Sequence, residues 1–164
     1  MKFLTVIAVL AIGLALQTGL GRVWPDAARY VDVMMVPVVW YAIAGSQRSG
    51  MLVGCASGLV QDAWFQAAAF GISGFKKTLI GWVLGGLGSR FDLNSTPSRF
   101  VFGAVATLSD SLLGLALRQL LDQASAAPNP LEIVIKAIVT GVLVVVAFGM
   151  TGWRDGKRGR RSLK

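Results

Sequence analysis

Seven ionisable side chains of this sequence stand in stretches otherwise dominated by apolar residues: Asp62, Asp110 and Glu132, with Lys76, Lys77, Arg118 and Lys136. Carboxylates in such a setting can in principle perform acid–base chemistry. No nucleophile or metal cluster accompanies them. The chain has one cysteine, Cys55, and no histidine, which excludes a disulfide framework and imidazole catalysis and argues against a Cys/His metal site. Gly85-Gly86-Leu87-Gly88 is not followed by Lys-Ser/Thr and so is not a phosphate loop. The expectation is a protein that is not an enzyme and holds no cofactor, its charges serving contact.

The spacing around these charges carries the strongest signal. Gly50, Gly54, Gly58 and Asp62 recur every four residues, and so do Lys77, Gly81, Gly85 and Ser89. Residues four apart share one face of an α-helix. Two helices joined by a short turn would therefore each present a small-residue face that ends in a charge. At the rise of an α-helix, Asp62 lies about 6 Å below the outer end of the first and Lys77 about 7–8 Å below that of the second. The matched depths predict an Asp62–Lys77 ion pair. Further along, Gly103, Thr107, Ser111, Gly114 and Arg118 form another face with Asp110 beside it, close to the middle of its span. The packing centre is thus read as Gly54, Gly58, Gln61, Asp62, Lys77, Gly81, Gly85, Asp110 and Arg118. Lys76 and Lys136, each about one turn from the outer boundary, either extend to the interface or join the interior. Two roles stay open for the centre. It is internal glue that orients helices, or it forms a polar pocket in the outer half for a small molecule, a lipid headgroup or a partner helix.

The elements that must position these residues are membrane helices. Of the 164 residues 54% are hydrophobic, the mean hydropathy is +0.64, and only 15% are charged, against about a quarter in soluble domains. The bilayer is the expected solvent. The chain reads as an all-α integral membrane protein: one domain, 1–153, of six transmembrane helices over about 3–20, 30–44, 50–66, 72–88, 99–121 and 131–153. The first run exceeds the roughly 7–15 apolar residues of a signal-peptide core, so it is read as a span and not a cleaved leader. Ala11 and Ala15 within it form a weak small-xxx-small contact motif. Pro37 is expected to interrupt the second span. Residues 154–164 form a basic, unstructured cytoplasmic tail.

Six crossings put both termini on one side. That side receives Lys2, Arg48, Arg90, Arg99 and the six basic residues of the tail, and the other only Arg22 and Arg29. The positive-inside rule then assigns the termini to the cytoplasm. The net charge of +8 is concentrated in the tail, which favours anionic lipid as its partner and not nucleic acid.

Gly58-Leu59-Val60-Gln61-Asp62, then Gly71, then Gly74-Phe75-Lys76-Lys77-Thr78-Leu79-Ile80-Gly81-Trp82 resembles the central segment of the bacterial rod shape-determining protein MreD family. The likeness covers about 30 residues closely; the rest agrees in length, span count, topology and basic tail. The adjacent lysines 76 and 77 are not general to that pattern. The resemblance implies a non-enzymatic, multi-pass component of the cell-elongation machinery (elongasome) in the bacterial cell inner membrane. Its implied partner is the bitopic scaffold MreC, with MreB, RodA and the elongation penicillin-binding protein beside it, in maintaining cell shape and directing lateral peptidoglycan synthesis. A homo-oligomer is also open. The family's implied fold resembles the substrate-binding components of energy-coupling-factor transporters. From that follows an alternative reading, a vitamin-binding membrane component.

Overall fold

The computed structural model describes residues 3–65, 70–88, 95–121 and 129–159, with side chains over 4–65, 70–88, 95–121 and 129–150. The expected roles of Lys2, Ser89, Arg90 and the side chains of the basic tail lie outside these described residues. Every described element is helical: α1 Phe3–Val23, α2 Pro25–Ala28, α3 Met35–Ala44, α4 Gln47–Trp64, α5 Ile72–Gly88, α6 Thr96–Leu120 and α7 Pro130–Gly159. Among the described residues three stretches are long and apolar enough to cross a membrane, Leu4–Val23, Thr96–Leu120 and Pro130–Met150. The ten-residue α3 is apolar but shorter than a usual span.

Two expectations are corrected by the helix ends. Helix α3 starts at Met35, not at residue 30, and Pro37 falls in its first turn. The missing N–H of proline has no intrahelical partner to lose there, so the helix is entered and not interrupted. The backbone of α7 continues to Gly159, so the first part of the tail extends that helix.

The short α3 is the hub. Met35, Val38, Val39 and Ala42 on it pack with Ile80 and Leu84 of α5, Ala106 of α6, and Val144 and Phe148 of α7 in one buried cluster. Trp40 and Phe148 stack with ring centroids 4.1 Å apart, and the Arg99 guanidinium lies 4.8 Å from the Phe148 centroid. Helix α1 leans on the bundle through Leu10, which clusters with Met34 and Val53. The start of α4 is fixed by a reciprocal cap. The Ser49 N–H donates to Ser46 Oγ at 3.3 Å, and the Ser46 N–H to Ser49 Oγ at 2.7 Å.

Helices α4 and α5 lie antiparallel, backbone against backbone. A Cβ on Gly50 would strike the Gly81 carbonyl, one on Gly54 the Lys77 carbonyl, one on Gly58 the Ser73 carbonyl, and one on Gly85 the Cα of Gln47. Each step of four forward on α4 thus meets a step of four back on α5. The period of four seen in the sequence is the register of this pair. Small residues let two helices approach this closely, with van der Waals contact in place of a hydrophobic drive.

Candidate functional site

The register of α4 and α5 decides where the charges go. Because Gly58 meets Ser73, the last turn of α4 overshoots the start of α5. Asp62 therefore sits over the first turn of α5, and Lys77 lies level with Gly54. The expected Asp62–Lys77 pair does not form. Asp62 Oδ2 instead accepts the N–H groups of Gly71 at 2.9 Å, Ser73 at 3.0 Å and Gly74 at 3.2 Å. Those amides open α5, where backbone donors lack helical partners and a negative charge is favoured by the helix dipole. Gly71 has φ of +99°, a backbone conformation suited to glycine, and this turns its N–H toward Asp62. Asp62 is 2% exposed and needs no lysine.

Substitution of Asp62 tests this role. Asp62→Ala is expected to lower stability by about 1–3 kcal/mol, because buried amides lose their acceptor. Asp62→Asn, which keeps one acceptor oxygen, should recover part of it. Denaturation of the purified protein in detergent micelles measures both.

The partner of Lys77 is Asp32. Lys77 Nζ donates to Asp32 Oδ1 at 3.0 Å and Oδ2 at 3.1 Å, and the two residues are 1% and 2% exposed. A second ammonium, Lys136 on α7, stands 3.9 Å from Asp32 Oδ2. Asp32 lies in the non-helical stretch ahead of α3, and its Oδ1 also accepts the Met35 N–H at 3.2 Å. One carboxylate therefore caps α3, neutralises α5 and reaches α7.

Buried non-helical backbone needs its polar groups satisfied. Around Asp32 two side chains supply that. Gln17 Nε2 donates to the Val31 carbonyl at 2.9 Å, while Gln17 Oε1 accepts the Val33 N–H at 2.8 Å. Ser57 Oγ donates to the Met34 carbonyl at 2.8 Å. Helices α1 and α4 thus hold the segment that carries the counter-ion.

Lys76 points the other way, to α6. Its Nζ donates to Asp110 Oδ2 at 3.1 Å and to the Asp110 carbonyl at 3.4 Å. This ammonium is tied within the bundle, with side chains 12% and 6% exposed at the two ends of the pair. Gly114, one turn on, leaves the space that the lysine stem fills. Thr107 is fully buried and bonds back to the Gly103 carbonyl at 3.0 Å. Gln61 is half-buried, and its Oε1 has no hydrogen-bond partner among the described residues. Arg118 is exposed. It belongs to the rim of a cavity and not to the packed centre, a correction that follows from its place in the last turn of α6.

No family model, curated protein or solved structure matches this chain.

Sequence reasoning overlooked Asp32 and Gln17. A signal for the first was present. Four cations against three carboxylates leave one positive charge over, and Asp32 stands between Val31 and Val33 in an apolar stretch. Gln17 is likewise the single amide side chain in the apolar run of α1.

Proposed function

We propose that this chain is a non-enzymatic scaffold of the bacterial cell-elongation machinery, of the MreD type. In this reading it crosses the inner membrane six times with both termini in the cytoplasm, binds MreC, and helps direct lateral peptidoglycan synthesis. One observation carries the reading. Buried Lys77 and half-buried Lys76 are each bound to a carboxylate from another part of the bundle, so these charged groups are used in holding elements together. The glycine register of α4 and α5, within which the residues of the family resemblance fall, is of the same kind. A rigid bundle that presents fixed outer faces suits a protein that works by association.

The runner-up is a vitamin-binding component of an energy-coupling-factor transporter. In its favour is a charged cavity of about 200 Å³ bordered by α5, α6 and α7. Its volume falls below the roughly 300–1,000 Å³ of pockets that enclose drug-sized ligands.

Depletion in the native bacterium separates the readings. Rounded cells, with MreC co-purifying from membranes, are the result expected of the scaffold. Loss of uptake of one vitamin would favour the transporter component, and accumulation of a substrate would favour an enzyme. Reporter fusions test the crossings: a reporter after Ser46 should be cytoplasmic and one after Phe70 external, and the reverse pattern would refute the orientation.

A further inference from the structure

The charged cavity has an uneven balance. Arg29, Lys76, Arg118 and Lys136 line it against Asp110 and Glu132. Lys76 is matched by Asp110 at 3.1 Å. Lys136 has only a distant share, at 3.9 Å, of Asp32, both of whose oxygens are held by Lys77. Arg29 and Arg118 have no ion-pair partner among the described residues. Glu132 alone is therefore left to set against Arg29, Arg118 and Lys136.

Such an excess of positive charge in a concave, partly dehydrated space concentrates anions. The arrangement of the cations is graded. Lys76 and Lys136 sit back in the wall with side chains 12% and 25% exposed, while the guanidiniums of Arg29 and Arg118 are exposed at the rim. Guanidinium is the group whose planar fork matches phosphate oxygens in bidentate fashion, and ammonium adds point charge behind it. The volume of about 200 Å³ admits a compact group and not an extended one.

We propose that this cavity binds a compact phosphate-bearing anion, with Arg29 and Arg118 as its principal ligands and Lys136 behind them. The chemistry is common to a phospholipid headgroup and to a soluble phosphate compound. The inference rests on the cavity alone and is independent of the scaffold reading.

The test uses the full chain purified in an uncharged detergent. Inorganic pyrophosphate is titrated calorimetrically at constant ionic strength. In parallel, the protein is placed in nanodiscs of phosphatidylcholine with or without phosphatidylglycerol, and retained lipid is counted by native mass spectrometry. Saturable pyrophosphate binding identifies a soluble ligand class, and selective retention of phosphatidylglycerol alone identifies a headgroup. In either arm, Arg29→Gln with Arg118→Gln should weaken binding at least tenfold, since charge-assisted contacts from both guanidiniums are lost. Both side chains are exposed, so the elution profile should be unchanged. As a second variant, Glu132→Gln removes the opposing charge and should tighten binding about threefold or more. Absence of saturable binding in both arms, or wild-type binding by the double arginine variant, overturns the proposal.

Discussion

Replacing Lys77 by methionine is expected to destabilise the protein by about 3–5 kcal/mol, the cost typical of breaking a buried ion pair from one side. The methionine fills most of the lysine's volume, so the loss reports charge and not packing. What remains is Asp32, 2% exposed, with Lys136 at 3.9 Å as its nearest other cation. Removal of both charges should behave differently. In Asp32→Asn with Lys77→Met the uncompensated carboxylate disappears, and most of the stability should return. A double-mutant cycle on Asp32 and Lys77 is expected to show coupling of about 3 kcal/mol or more, since the double substitution recovers most of what the single one loses. The same cycle on Asp62 and Lys77, which share no hydrogen-bond partner, should give a much smaller value. Equal coupling in the two cycles would contradict the pairing described here. Thermal or denaturant unfolding in one detergent suffices for all of the variants.

The second large effect is expected at Gly54. An added Cβ would lie inside contact distance of the Lys77 carbonyl, 2.7 Å from its carbon and 3.1 Å from the Thr78 nitrogen. These are backbone atoms of a helix and cannot rotate aside as a side chain can. Gly54→Ala must therefore push α4 and α5 apart, at the upper end of the roughly 1–3 kcal/mol that overpacking costs, and Gly54→Val should exceed it. The separation also moves the residue whose ammonium holds Asp32, so packing and charge fail together. Gly149 on α7 supplies the control, because nothing lies within 4 Å of a Cβ built there. Gly149→Ala should be neutral or stabilising by about 0.5–1 kcal/mol through helix propensity. Parallel losses at the two positions would show that close approach is not what Gly54 provides.

The part of this architecture that depends on periodicity was legible in the residues. Gly50, Gly54 and Gly58 against Gly81 and Gly85 announce a close helix pair, because a period of four places them on one stripe whatever the rest of the chain does. Depth was harder. Counting from supposed helix ends put Asp62 and Lys77 side by side, whereas the glycine contacts offset α4 past the start of α5 and leave Asp62 above its amides. The role of Asp32 was hidden for another reason. A continuous helix over 30–44 would make it one polar residue near a span end, but the chain is non-helical there and folds inward, which only the tertiary partners Gln17, Ser57 and Lys77 disclose.

The bond between Asp32 and Lys77 joins positions 45 residues apart in the chain. At a synthesis rate of roughly 5–20 residues per second, the acid emerges from the ribosome several seconds before the ammonium that neutralises it. During that interval an ionised Asp32 is favoured in water or in a sheltered site over hydrocarbon. For a chain inserted into a membrane as it is made, the early helices are expected to settle only once α5 has arrived, an order that the finished bundle no longer displays.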